Sequence, residues 1–152
     1  MKEMKIIIAN FKMNPSSEQE AENLFNYYHK KSIDLNNVEF IVAPPFLYLA
    51  KAKEFGLKVA AQNCFYEDRG AYTGEISPLM LKNLGIQYVI LGHSERRKIL
   101  KEEEEMINRK LRAVLRNQLI PIVCVGETME EREKGLTEYV IENQLASAFK
   151  NQ

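Results

Sequence analysis

Short apolar runs alternate along the chain with longer stretches in which apolar residues return every three or four positions. Five of the runs have the length of strands: Lys5–Ala9, Glu39–Ala43, Lys58–Gln62, Tyr88–Gly92 and Ile120–Val125. Ile6-Ile7-Ile8, Phe40-Ile41-Val42 and Val89-Ile90-Leu91 do not alternate with polar residues, as expected of parallel strands covered on both faces. Helices are predicted between them. Ser17 followed by Glu20 has the spacing of a capping box after Pro15, and Ala21, Leu24, Phe25 and Tyr28 then form a stripe at helical spacing. Leu47–Phe55 and Pro78–Leu84 each run up to a glycine, Gly56 and Gly85, as helices that end in a left-handed residue do. Glu102–Asn117 carries Met106, Ile107, Leu111, Val114 and Leu115 on one face, and Thr137–Phe149 is the last predicted helix. The acidic run Glu102–Glu105 reads as a solvated first turn favoured by the helix dipole.

Strand followed by helix, repeated five times with short connections, implies right-handed crossovers and an α/β sheet. The sequence contains neither GxGxxG nor GxxxxGK[ST], which weighs against dinucleotide and P-loop folds and leaves a flavodoxin-like sheet open. The other architecture is a (β/α)8 barrel, which takes about 250 residues. On that reading residues 1–152 are a single incomplete barrel domain with about five of the eight βα units.

Composition narrows the partners. Apolar residues at 45% and charged residues at 28% are those of an ordinary globular chain. Lys plus Arg and Asp plus Glu number 21 each, so there is no broad basic field to capture nucleic acid or an anionic membrane, and an anionic ligand must be held locally. The apolar runs fall far short of the roughly 18 residues of a membrane span, and Met1–Lys5 leads into no signal-peptide core, so a cytoplasmic location is expected. Cys64 and Cys124 make no CxxC pattern, His29 and His93 are the only histidines, and neither a disulfide, a metal nor a cofactor is expected.

In α/β sheets and barrels the ligand meets the carboxyl ends of the strands. Those ends carry Asn10-Phe11-Lys12, Pro44-Pro45, Gln62-Asn63-Cys64, His93-Ser94-Glu95-Arg96-Arg97 and Gly126-Glu127. Lys12 is either a ligand for an anionic substrate or a solvated loop lysine, and Asn10 either orients it or caps the turn. His93 is either structural or, at a helix N-terminus that disfavours imidazolium, a neutral ring able to donate a hydrogen bond. Ser94 reads as an N-cap, Glu95 as a first-turn acid and Arg96-Arg97-Lys98 as a solvated basic face.

Asn10–Asn14, Ala61-Gln62-Asn63, Gly70–Ser77, Leu91–Arg97 and Cys124–Glu127 together resemble the signature segments of the triosephosphate isomerase family, in order and spacing, from about residue 5 to the end. Phe11 stands where the family usually has tryptophan. The resemblance implies a triose phosphate substrate whose phosphate and enediolate Lys12 steadies. It further implies that Asn10 positions substrate and lysine, with Phe11 beside them, and that Glu95 is a supporting acid near Lys12. It also implies that His93 is the neutral electrophile already established for that enzyme, which works beside a glutamate base and a water-excluding loop. Residues 64–75 would be an interface loop with Thr73, Gly74 and Glu75 at the contact with the second subunit of a homodimer, and Glu75 would pair with Arg96. The family's glutamate base, lid and later phosphate loops correspond to nothing up to Gln152, so the resemblance implies a chain truncated before its base. Activity of these 152 residues alone is then not expected, and an inactive half-barrel that binds phosphate or a complementary fragment is the alternative.

Overall fold

The computed structural model describes residues 4–32 and 37–151. Contacts divide the chain into two compact units, residues 1–62 with 81–88 and residues 63–80 with 89–152.

The first unit holds β1 (Lys5–Asn10), α1 (Glu18–Ser32), β2 (Val38–Ala43), a short 3-10 turn (Phe46–Tyr48), α2 (Leu49–Glu54) and β3 (Lys58–Ala61). It takes in the end of α3 (Pro78–Asn83) and the first residue of β4 (Tyr88–Leu91). β1 runs parallel to β2 from Lys5 opposite Val38 to Asn10 opposite Ala43, and β2 runs parallel to β3 with Ile41 opposite Lys58. Ala21 and Phe25 of α1 are buried, and Phe25 stacks at 6.2 Å on Phe11, the residue that follows β1. The capping box of α1 is half formed. Ser17 Oγ accepts the Glu20 N–H at 3.3 Å, but the Glu20 carboxylate accepts from the Ser16 N–H instead of that of Ser17. The helix expected over Leu47–Phe55 starts as a 3-10 turn, because Tyr48 N–H closes a three-residue bond onto Pro45 O at 2.9 Å.

β1 departs from the expectation that both faces are covered. Ile6 is 56% exposed and Ile7 50%, and consecutive strand residues point to opposite faces, so neither face of this strand is closed. Continuous apolar character therefore marks parallel pairing here without marking burial.

The second unit holds the rest of β4, α4 (Ser94–Lys98), α5 (Glu104–Arg116), β5 (Ile120–Val123), α6 (Met129–Glu133) and α7 (Thr137–Ala148). β5 lies beside β4, and the Cys124 N–H continues the ladder onto Leu91 O at 2.9 Å. α5 buries Ile107, Lys110, Leu111, Ala113 and Val114, while Met106 and Leu115 sit half-exposed at the margins of that stripe. The helix begins at Glu104, and the expectation of a solvated Glu102 is overturned: its side chain is 2% exposed and turned inward onto Lys110 and Arg96. α6, absent from the sequence expectation, opens on a complete capping box. Thr128 Oγ1 accepts the Glu131 N–H and the Glu131 carboxylate accepts the Thr128 N–H, which holds the Glu131 carboxyl below its usual range. α7 packs on α5, and Asn108 of α5 donates to Ala148 O at 2.8 Å at the end of α7. Among the described residues no helix is long and apolar enough to cross a membrane.

Candidate active site

The first unit places Asn10, Phe11 and Lys12 at the carboxyl end of β1. Phe11 turns toward α1, with its ring 6.2 Å from Phe25 and 5.7 Å from Tyr28, and its N–H bonds to Ala43 O at the end of β2 at 3.0 Å. Anchoring this residue fixes where the chain leaves the strand, and Lys12, next in line, is exposed. Lys12 has φ +54°, a left-handed conformation that side-chain-bearing residues adopt only when their surroundings impose it. Both of its peptide groups are held. Asn10 Oδ1 accepts the Lys12 N–H at 2.9 Å, an Asx turn that caps the bend and holds the lysine backbone at once, and Gln62 Nε2 donates to Lys12 O at 2.7 Å.

The second unit places His93 and Glu95 at the carboxyl end of β4. Gly92 makes the turn. Its φ is +66°, and a Cβ there would lie 2.9 Å from the Arg97 guanidinium and 3.1 Å from Ile107. The N-cap of α4 is His93, not Ser94. With ψ 141° it stands outside the helix, and its Nδ1 accepts the Glu95 N–H at 3.3 Å. The Glu95 carboxylate also lies 3.5 Å from the same nitrogen. A ring nitrogen that accepts from an N–H has no proton of its own to offer a carboxylate, so the two contacts are alternatives for Nδ1.

Arg96 and Arg97, expected on a solvated basic face, face inward. Arg97 donates to Gly92 O at 2.6 Å and to Cys124 O at 3.1 Å and pairs with Glu104, so one guanidinium ties the ends of β4 and β5 to the start of α5. Arg96 pairs with Glu102 at 2.6 Å and not with Glu75. Lys110 completes this cluster, 3.0 Å from Glu102 and 3.0 Å from Asn63 Oδ1. A lysine on the apolar stripe of α5, between Ile107 and Leu111, was the signal for it in the sequence. Glu127 is held by Thr137 Oγ1 at 3.2 Å and lies 3.9 Å from Arg132, so its carboxylate supports the start of α7. Within this unit His93, Arg97, Glu127 and Gln144 line a cavity of about 560 Å³.

The loop from Asn63 to Ser77 is stitched to α5. Arg109 lies 3.5 Å over the Tyr66 ring and 3.3 Å from Glu67, and Asn117 donates to Asp68 at 2.8 Å. Phe65 N–H closes the loop base onto Ile76 O at 2.8 Å, and Thr73, Gly74 and Glu75 are exposed at its tip.

Parallel strands, each followed by helix, with polar side chains gathered just beyond their carboxyl ends, are the mark of (β/α)-barrel enzymes. The family model described as triosephosphate isomerase matches residues 5–152, and the chain belongs to that family, with five of the barrel's eight βα units. Curated proteins named triosephosphate isomerase agree. That of Dictyoglomus turgidum is 48% identical over 145 residues, that of Ligilactobacillus salivarius 46% over 151, and that of Clostridium tetani 44% over 144. These alignments cover 93%, 96% and 92% of this chain but 58%, 59% and 56% of the respective relatives. The chain thus spans a little over half the length of the curated relatives it matches.

Proposed function

We propose that these residues belong to a triosephosphate isomerase that interconverts dihydroxyacetone phosphate and glyceraldehyde 3-phosphate in glycolysis and gluconeogenesis, in the cytoplasm and as a homodimer. The observation that carries this is the N-cap contact of His93. An imidazole with Nδ1 accepting a backbone N–H presents Nε2–H, the group needed to polarise a substrate carbonyl without first losing a proton. Lys12 supplies the cation for the phosphate, Asn10 holds the lysine backbone, Phe11 anchors the loop, and the Glu95 N–H braces the His93 turn. Thr73, Gly74 and Glu75, exposed on a loop braced from behind, suit contact with a second copy.

The base is sought outside these residues. Glu127 is occupied by Thr137, and a base must come within about 3 Å of the proton it takes. The test is a coupled isomerase assay on the chain alone and with a separately expressed C-terminal half from a relative. Turnover is expected only in the second case. His93→Ala in the complemented protein should then lower turnover by about 10²- to 10³-fold with little change in substrate binding, as for loss of one transition-state donor. Lys12→Met should abolish binding of a phosphorylated inhibitor. Turnover by the chain alone would mean the base is among the residues described above, and no turnover with any complementary half would leave the inactive half-barrel.

A further inference from the structure

We propose that Gln62 is a positioning residue for Lys12, its side-chain amide locking the lysine backbone in the left-handed conformation that aims the ammonium group. The inference rests on the reading of Lys12 as the phosphate ligand. Gln62 follows the last residue of β3, and its Nε2 donates to two carbonyl oxygens, Lys12 O at 2.7 Å and Ala43 O at 2.8 Å. Ala43 ends β2, and its oxygen also accepts the Phe11 N–H at 3.0 Å. One primary amide therefore joins the carboxyl ends of β1, β2 and β3 through both of its hydrogens.

The chemistry selects glutamine. Both contacts are with acceptors, so the site calls for two donors on one nitrogen and no charge. A glutamate there would set lone pairs against two carbonyl oxygens, and a methionine of similar length would offer no donor. The grip matters because φ of Lys12 is +54°. Rotation of the residue to the usual negative φ would swing its carbonyl away from Gln62 and redirect its Cα–Cβ bond, and with it the whole stem of the side chain. Asn10 restrains the N–H side of the residue and Gln62 the C=O side, so the conformation is fixed from two strands. Gln62 makes no claim on substrate itself.

The test begins with the unaltered, isotope-labelled chain. Scalar couplings across the hydrogen bonds from Gln62 Nε2 to the carbonyl carbons of Lys12 and Ala43 are expected, with the strong intraresidue HN–Hα NOE of a positive φ at Lys12. In Gln62→Met that NOE should weaken, and the dissociation constant for inorganic phosphate should rise about tenfold, the effect of losing hydrogen bonds together worth one decade in affinity. Ile86→Val, which loosens the core of the same unit away from the lysine loop, should keep both the NOE and the phosphate affinity, a result that general destabilisation would not give. Absence of the couplings in the unaltered chain, or a Gln62→Met chain with Lys12 still at positive φ and phosphate affinity intact, overturns the proposal. Should Gln62→Met fail to fold, the couplings in the unaltered chain decide. If the unaltered chain binds no phosphate, the phosphate-ligand reading of Lys12 fails, while the couplings and the NOE still decide whether Gln62 locks its backbone.

Discussion

Lys110 Nζ lies 3.0 Å from Glu102 Oε2 with both side chains only 2% exposed, and Arg96 Nε reaches the same oxygen at 2.6 Å. Burial pushes the Lys110 ammonium below its ordinary range, and the attraction of Glu102 only partly restores it. Desolvation thus outweighs the pairing for this lysine, as is common for buried ions. Lys110→Met is expected to lower the unfolding free energy by about 1–3 kcal/mol, because it takes the donor from the buried Asn63 Oδ1 while Glu102 keeps Arg96. Adding Glu102→Gln should cost less than the sum of the single changes. Urea unfolding of the four chains measures this, and strict additivity would show that the two groups do not interact.

At the start of β4, the Tyr88 hydroxyl donates to Glu39 Oε1 at 2.5 Å, and Lys58 lies 3.1 Å from the same oxygen. The Tyr88 hydrogen bond first, and Lys58 second, hold the Glu39 carboxyl below its ordinary range, while the bond to Glu39 and then burial push the Tyr88 phenol above its own. The carboxylate contributes stability that is present above pH 4.5 and lost as pH falls through its depressed value. The phenol contributes stability that is present below pH 10 and lost as pH rises through its raised value. Tyr88→Phe should cost about 1 kcal/mol at neutral pH and flatten both flanks of the stability profile. Unchanged slopes on either flank would mean that the bond does not persist in solution.

Burial pushes the Cys64 thiol up to about 12 and raises that of the half-buried Cys124 as well. Since the thiolate is the reactive form, neither should react quickly with a disulfide reagent at pH 8 in the native chain. Cys64 should be the slower and should become reactive only on unfolding. Burst labelling of Cys64 in native buffer would contradict its burial.

Met4, just before β1, and Ile6 and Ile7 on it are each at least half exposed, the one strand neighbour of β1 among the described residues is β2, and Ile120 of β5 is 48% exposed. An apolar strand with an open edge templates association. Light scattering on the purified chain should give a mass above that of the monomer, and Ile7→Lys should reduce it. A monomer at all concentrations would show that these surfaces are not adhesive.

The strands were legible because their apolar runs are bounded by glycine, proline and polar residues, and the stripe of α5 was legible through Ile107, Leu111 and Val114. Inward-turned charge was not. Glu102 stands in a run of four glutamates whose local pattern favours solvent, and only the distant Lys110 and Arg96 draw it inside. Arg97 looked like surface for the same reason, since its acceptors are backbone oxygens at two strand ends. The N-cap of α4 fell to His93 because a histidine nitrogen can accept an N–H as a hydroxyl does, which cap preferences do not weigh. Thr128-x-x-Glu131, by contrast, is a capping box visible in the sequence, and α6 could have been read from it.

The loop anchored by Arg109, Lys110 and Asn117 owes its shape to a helix 42 to 49 residues further along the chain. On a ribosome moving at about 5–20 residues per second, several seconds separate the appearance of Asp68 from that of Asn117. Through that interval Phe65, Tyr66 and Tyr72 have each other for company but not Arg109, which later covers the Tyr66 ring. Pausing or slow codons between the two segments would lengthen the time for which three aromatic rings stand open to chaperones and to neighbouring nascent chains.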